Sequence, residues 1–202
     1  MNRVQTFTGA NTGFFLHLPD WALEALNRLP EYLPNDEERM AAVLEFARLN
    51  FRQQTGGPFA AGLFEQDTGR CIVIGVNRVM PSCCSSAHAE IMAISLAQHL
   101  LGTYDLGAAG LPAHQLVVSW RPCAMCFGAV LWSGVRSLMI AGAGPEVEDI
   151  TGFDEGPIHP EWRQELTRRG IAFKEDVLRE EAVEVFREFA AKGGFVYNAR
   201  LG

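Results

Sequence analysis

Two short motifs of metal-ligating residues constrain the fold of this chain more than any other feature. The segment His88–Glu90 has the sequence HAE, and the segment Pro122–Cys126, which begins 32 residues after Glu90, has the sequence PCAMC. One histidine and two cysteines match the three protein ligands of a catalytic zinc ion, whose fourth position stays open to water. The chain must therefore fold so that two segments distant in sequence bring their side chains to one point.

Each of these motifs opens a predicted helix, the first at about His88 and the second at about Cys123. Free backbone N–H groups at a helix N-terminus lower the pKa of a thiol and favour the thiolate that zinc binds. Glu90 lies in the first helical turn, where it can reach past the helix end and exchange a proton with a metal-bound water. We therefore expect His88, Cys123 and Cys126 to bind zinc and Glu90 to be catalytic. A purely structural zinc module is the alternative, but such a site is normally closed by a fourth protein ligand.

Composition restricts the partners of such a site. The 202 residues include 24 acidic and 17 basic side chains, which give a net charge of −7. Nucleic-acid-binding surfaces are basic because contacts from Lys and Arg to phosphate supply most of the affinity, so the acidic balance argues against tRNA or DNA and favours a small molecule. Five cysteines are an odd number in a chain without a secretory signal pattern, so we expect a cytoplasmic protein without a disulfide framework. No stretch approaches the ~18 consecutive apolar residues of a membrane span, and no membrane contact is expected.

The remaining pattern alternates strands with helices. Asp20 is a candidate cap for the first helix, and the acidic, glycine-containing stretch 145–160 is predicted to be a loop. The alternation is typical of a three-layer α/β/α sandwich. We expect residues 1–50 to be a helical extension packed on the core and residues 51–202 to form the catalytic domain, with a single domain overall. The predicted helices are 21–29, 35 or 36 to about 55, 88–101, 123–132, 161–169 and 178–192, and the predicted strands are 59–64, 70–77, 116–119, 135–141 and 171–174.

Sequence blocks around both motifs resemble the cytidine deaminase superfamily of zinc-dependent nucleobase deaminases. The similarity covers Gly56–Asp154 through GGPFAAGLF, NRV, AHAEIMAI and PCAMCFGAVLWSGV, and the H-x-E…P-C-x-x-C pattern is typical of these enzymes. Within the superfamily the chain is most similar to bacterial guanine deaminases, because Gly152–Glu155 resembles the Gly-Phe-Asp-acid segment that they place over the active site. The resemblance implies a central mixed five-stranded sheet in the sandwich.

Further site residues follow from this resemblance by position. It implies that Glu155 assists proton transfer, that the Asn77 side chain hydrogen-bonds the base and that the backbone N–H of Ala89 contacts the substrate. Phe153 is expected to provide an aromatic wall for a planar ring. Tyr197, with the asparagine that follows it, is expected to close the pocket, either of its own subunit or of a partner.

The reaction that the resemblance implies is hydrolysis of guanine to xanthine and ammonia, with amino-triazines such as ammeline as further candidate substrates. It also implies one zinc ion per subunit with a bound catalytic water, and a homodimer. The first alternative is a tRNA adenosine deaminase and the second a cytidine-type deaminase of small molecules. The 178–192 helix carries four acids and three bases, which argues against the tRNA alternative.

Four other residues near the motifs need separate interpretation. Cys83 and Cys84 are close to His88 in sequence, but three protein ligands and a water already complete the zinc site. Trp132 is expected to pack in the core. Arg121 stands before the Pro-Cys pair, where relatives commonly have Glu, and its consequence is left open by the sequence.

Overall fold

The computed structural model describes residues 15–198, which form one mixed sheet with helices on both faces. The strands are β1 (Ala60–Glu65), β2 (Cys71–Val76), β3 (His114–Val118), β4 (Ser137–Ile140) and β5 (Ala172–Lys174). The helices are α1 (Asp20–Arg28), α2 (Asp36–Arg52), α3 (Val79–Ser82), α4 (Ala89–Leu101), α5 (Ala124–Ser133), α6 (Glu146–Thr151), α7 (Trp162–Arg168) and α8 (Arg179–Ala191).

The sheet has the strand order β2-β1-β3-β4-β5. Strand β1 pairs antiparallel with both β2 and β3, whereas β3, β4 and β5 run parallel to one another. The mixed five-stranded sheet within a three-layer α/β/α sandwich is therefore confirmed. Among the described helices none is long and apolar enough to cross a membrane.

Two glycines on neighbouring strands show which helix covers which face. Gly75 on β2 pairs with Ala61 on β1, so the two point to the same face, and Gly62 points to the opposite one. A Cβ added at Gly75 would lie 2.5 Å from the backbone nitrogen of Ala93 in α4, and one added at Gly62 would lie 3.0 Å from Val43 in α2. Helix α4 therefore packs on one face, directly on the strand backbone, and α2 packs on the other.

Helix α2 begins as its sequence predicts. The Asn35 side chain accepts a hydrogen bond from the backbone N–H of Glu38 at 2.9 Å, which caps the helix start. The helix continues through residue 50, where the sequence placed the boundary between the extension and the catalytic domain. That boundary stays a prediction. The apolar positions of the 3.6-residue pattern are all buried, namely Met40, Val43, Leu44, Ala47 and Phe51.

Three local predictions are wrong. Asp20 is the first helical residue of α1 rather than its cap, because Pro19 takes the cap position and makes no side-chain capping bond. Trp132 is 88% exposed, because it lies on the outward face of α5. The stretch 145–160 is not all loop, since it contains α6, whose acidic side chains form ion pairs with Arg121 and Arg179 from elsewhere in the fold.

Candidate active site

The three predicted metal ligands come together where α4 and α5 begin. His88 and Cys123 occupy the N-cap positions of these helices, and Cys126 lies in the first turn of α5. Their ligand atoms all lie within 4.8 Å of one another, and the Cys123 sulfur is 3.6 Å from Nδ1 of His88. Neither Cys83 nor Cys84 joins this group, which is the only such metal-ligating group in residues 15–198 that the geometry brings together.

The ionisation of the two thiols fits a thiophilic divalent cation. The pKa of Cys123 falls to about 4, because the Cys126 thiol and the His88 ring hydrogen-bond its sulfur. The pKa of Cys126 is raised above its ordinary value, first because the Cys123 sulfur accepts its proton in a hydrogen bond and then because it is buried. The pKa of His88 is raised as well: burial opposes the shift, but the hydrogen bond to Cys123 and the charge of Glu90 favour the protonated ring. One thiolate is therefore ready at neutral pH, and a bound cation would release the proton of the second thiol and that of the His88 ring. This donor set of one nitrogen and two sulfurs is the type that zinc prefers, with one coordination position left open.

Glu90 lies beside this ligand group, buried in the first turn of α4. Its carboxyl pKa is raised, mainly by burial and next by the negative charge of Cys123. A carboxyl group with a raised pKa can both accept and return a proton near neutral pH. The geometry therefore suits the acid–base role expected for Glu90.

A cavity of about 210 Å³ opens over Glu90 and the ligand group. It also receives side chains from the end of β3 and from the segment that follows α6. The structure brings seven of the nine predicted site residues to its wall, and the other two, Cys123 and Cys126, lie beside His88. The seven are Asn77, His88, Ala89, Glu90, Phe153, Glu155 and Tyr197.

Asn77 is held rigidly at the end of β2. It is almost fully buried, and its backbone carbonyl accepts a hydrogen bond of 2.9 Å from the Asn50 side chain. Its Oδ1 lies 3.4 Å from the backbone nitrogens of Gly57 and Val79, while its Nδ2 donates to the Tyr197 hydroxyl at 2.5 Å. The amide therefore has a fixed orientation at the cavity wall, as a group that reads the polar edge of a ring must have.

Glu155 is a second carboxyl group on the same cavity, and it is partly buried. Its pKa is raised to about 8, chiefly by burial and further by the charges of Cys123 and Glu90. Its backbone carbonyl accepts a hydrogen bond of 3.2 Å from Ala124 N–H, at the start of α5. The segment that carries Glu155 is thus attached to the same helix end that carries the cysteines.

Phe153 contributes both to the cavity wall and to the core. It is buried, with its ring centroid 5.0 Å from those of Phe59 and Tyr197 and 5.7 Å from that of Phe189. These neighbours fix the plane of the Phe153 ring, which lines the cavity.

The C-terminal segment closes the cavity of its own chain. Asn198 donates from Nδ2 to the Gly152 carbonyl at 2.7 Å and accepts at Oδ1 from the backbone N–H of Asp154 at 2.9 Å. Tyr197 is largely buried, which raises its pKa. Both residues bond to segments on the cavity wall, and the Tyr197 ring centroid lies 6.3 Å from that of His88, so the tail covers the cavity beside the metal ligands.

Sequence reasoning missed some of the wall residues. Ser119 directly follows the buried strand β3, at the carboxyl edge of the parallel part of the sheet, where ligands commonly bind. Phe59 directly follows the Gly-Gly-Pro turn that opens β1. The position of Ser119 after its strand was a usable signal, whereas nothing local to Phe59 distinguishes it from a core residue.

Comparison with known proteins agrees with this geometry. The family model of the cytidine and deoxycytidylate deaminase zinc-binding region matches residues 33–142. The guanine deaminase of Bacillus subtilis (strain 168) is 33% identical over 139 residues, which span 68% of this chain and 84% of that protein. The chain therefore belongs to the cytidine and deoxycytidylate deaminase family, and it is a zinc-dependent hydrolytic deaminase.

Solved structures extend the likeness over nearly the whole chain. A guanine deaminase from Nitrosomonas europaea is 50% identical, with a TM-score of 0.85, and the match covers 90% of this chain and 98% of that one. The protein NE0047 in complex with 2,6-diaminopurine is also 50% identical, with a TM-score of 0.86 and coverage of 94% and 99%. A mutant of NE0047 at 50% identity was solved with another purine analogue, 8-azaguanine.

Proposed function

We propose that this protein is a guanine deaminase, which hydrolyses guanine to xanthine and ammonia with one zinc ion per subunit. The observation that carries the proposal is the second carboxyl group, that of the partly buried Glu155, which faces the same small cavity as Glu90. The 50% identity to a guanine deaminase over 90% of the chain supports the choice of guanine.

The size of the cavity supports a free base rather than a nucleic acid. Its volume of about 210 Å³ lies below the roughly 300–1,000 Å³ of pockets for drug-sized ligands. The tail residues Tyr197 and Asn198 also line the cavity and bond to Asn77 and Asp154 on its wall, which reduces the room for a ribose or a phosphate beside the base. The carboxylate of Asp154 on the wall would also repel phosphate.

The chain's own residues account for the steps of binding and proton transfer. Asn77, held by its neighbours, would hydrogen-bond the polar edge of guanine, and Phe153 would contact the ring. Zinc held by His88, Cys123 and Cys126 would supply an acidified water as the nucleophile.

Glu90 and Glu155 then move the two protons of that water. Glu90 transfers one to the ring nitrogen next to the amine-bearing carbon, which makes this carbon electrophilic, and that proton remains on the product. The second proton goes to the amine through Glu90 with the help of Glu155. The carbon–oxygen bond forms, the carbon–nitrogen bond breaks, and ammonia leaves.

The test is ammonia release from guanine, adenine, cytosine, cytidine, guanosine and ammeline, with zinc-loaded protein at neutral pH and a tRNA incubated in parallel. Xanthine formed from guanine, with or without turnover of ammeline, supports the proposal. Inosine appearing in the tRNA while every small molecule stays unchanged would overturn it in favour of a tRNA adenosine deaminase.

We also propose that two copies associate through the outward face of α5. This helix has no charged residue, and Trp132 and Met125 on it are 88% and 40% exposed. A helix that is apolar all round is normally covered. Light scattering should give twice the chain mass, and Trp132→Ser should shift the mass toward that of one chain.

A further inference from the structure

Arg121 connects the ligand motif to a separate part of the chain, although the proposed reaction gives its side chain no role. It lies two residues before Cys123, and its backbone N–H donates to the Gly142 carbonyl at 2.8 Å. Its Nη1 donates to the Ala143 carbonyl at 3.4 Å, and its Nη2 pairs with Oε1 of Glu148 at 2.9 Å. One side chain thus holds both the loop after β4 and helix α6.

Glu148 is linked in turn to the acidic segment of the cavity wall. Its backbone carbonyl accepts a hydrogen bond of 2.8 Å from Gly152 N–H, at the end of α6. Phe153 and Glu155 follow within three residues, and both line the cavity. Glu148 is also near enough for its charge to raise the pKa of Glu155. The path from Arg121 to Glu155 is therefore short and continuous.

The ion pair of Arg121 and Glu148 is buried enough that its removal should affect the structure. The side chains of Arg121 and Glu148 are 15% and 34% exposed. Nε of Arg121 and Oε2 of Glu148 are buried and have no hydrogen-bond partner within residues 15–198. Removing one member would leave the other charge uncompensated, which costs more than removing both.

We propose that Arg121 and Glu148 are positioning residues, whose ion pair fixes α6 against the ligand motif and so holds Phe153 and Glu155 at the cavity wall. The effect on turnover rests on the proposed function, because it needs Glu155 to act on the substrate. The effect on the position of the segment does not.

The test compares Arg121→Gln, Glu148→Gln and the double variant. Each single variant should keep its zinc and lose about tenfold in kcat on guanine, equivalent to ~1.4 kcal/mol, with a smaller change in KM. The double variant should recover to within about threefold of the wild type, because two neutral amides can hydrogen-bond in place of the ion pair. The matched control is Arg163→Gln, which removes an ion pair whose arginine is more exposed and whose two residues, Arg163 and Glu175, do not line the cavity.

Amide hydrogen exchange of residues 144–156 gives a readout that does not depend on activity. The single variants should speed exchange in this segment, the double variant should restore it, and Arg163→Gln should leave it unchanged. Exchange and kcat like those of the control in both single variants would overturn the inference, even if the melting temperature fell. If exchange is faster in the single variants but the wild-type protein does not deaminate guanine, the inference is supported and the proposed function is refuted. The two failures are therefore distinguishable. Should Arg121→Gln fail to fold, Glu148→Gln, at the more exposed position, carries the same test.

Discussion

Replacing Gly75 by alanine should misplace the catalytic end of α4. A Cβ at this position would lie 2.5 Å from the backbone nitrogen of Ala93 and 2.8 Å from the carbonyl oxygen of Ala89. Ordinary contacts of a Cβ begin at 3.4 Å, so α4 or β2 would have to move by about 0.9 Å. Both obstructing atoms are backbone, so no side-chain rotation can relieve the overlap.

The size of the effect follows from this overlap. Overpacking of a well-packed interior costs ~1–3 kcal/mol. In a chain of this length each kcal/mol lowers the melting temperature by roughly 2–4 °C, so a fall of about 5 °C is expected. Helix α4 carries His88 and Glu90 at its start, and a misplacement of about 1 Å can cost ~10²-fold in rate. Activity should therefore fall more than stability does.

The assay combines thermal unfolding, zinc content and kcat for ammonia release from guanine. The matched control is Gly128→Ala in α5, where an added Cβ meets nothing of its own chain within 4 Å and the change favours the helix by roughly 0.5–1 kcal/mol. Because Gly128 lies in the helix proposed to join two copies, light scattering must show that this variant keeps the mass of the wild type. If the Gly75→Ala protein has the melting temperature, zinc content and kcat of the wild type, the close backbone contact at Gly75 does not determine the position of α4.

The other predictions concern the proton carrier, the metal, the tail and a buried arginine. Glu90→Gln should retain zinc and lose at least ~10²-fold in kcat, and loss of zinc with it would contradict the assigned role. Chelation should abolish ammonia release and lower the melting temperature, and added zinc should restore both; unchanged turnover in metal-free protein would refute a zinc mechanism. Tyr197→Phe should raise KM for guanine about fivefold, because the ~1 kcal/mol hydrogen bond that orients Asn77 is lost, whereas an unchanged KM would separate the tail from binding. Arg39→Met should destabilise the fold by ~2–4 kcal/mol in denaturant unfolding, because the buried guanidinium donates to two backbone carbonyls and a glutamine; a loss below ~1 kcal/mol would contradict this.

The sequence was sufficient to predict the centre of the site, for a physical reason. His88 and Cys123 each stand where a buried strand or loop gives way to a helix, and the fold places both helix starts at one edge of the sheet. The local sequence pattern at each helix start therefore determines where the side chains of His88 and Cys123 point. The roles of Glu155 and Asn77 came only from family resemblance, and their contribution to catalysis stays a prediction although both lie on the cavity wall.

Elements that depend on distant partners were not predictable. Helix α6 lies in a stretch rich in Gly, Pro and acids, and it is only six residues long. Its Glu146 and Glu148 form ion pairs with Arg179 and Arg121, and only the folded chain brings these arginines near. The exposure of Trp132 was missed for a related reason: an apolar residue in an apolar helix gives no sign of which side faces the core.

The hydrogen bonds at the cavity wall suggest how one base is selected over another. In the free protein, Nδ2 of Asn77 donates one of its two N–H groups to the Tyr197 hydroxyl, which fixes the amide and leaves the second N–H for a ligand. In the proposed reaction, a base pairs with this second N–H only if its own polar edge supplies an acceptor there. A base with the wrong edge leaves buried polar groups unpaired, at ~1–3 kcal/mol each. Discrimination therefore arises mainly from the penalty on the wrong base, and disrupting the tail contact should reduce selectivity together with affinity.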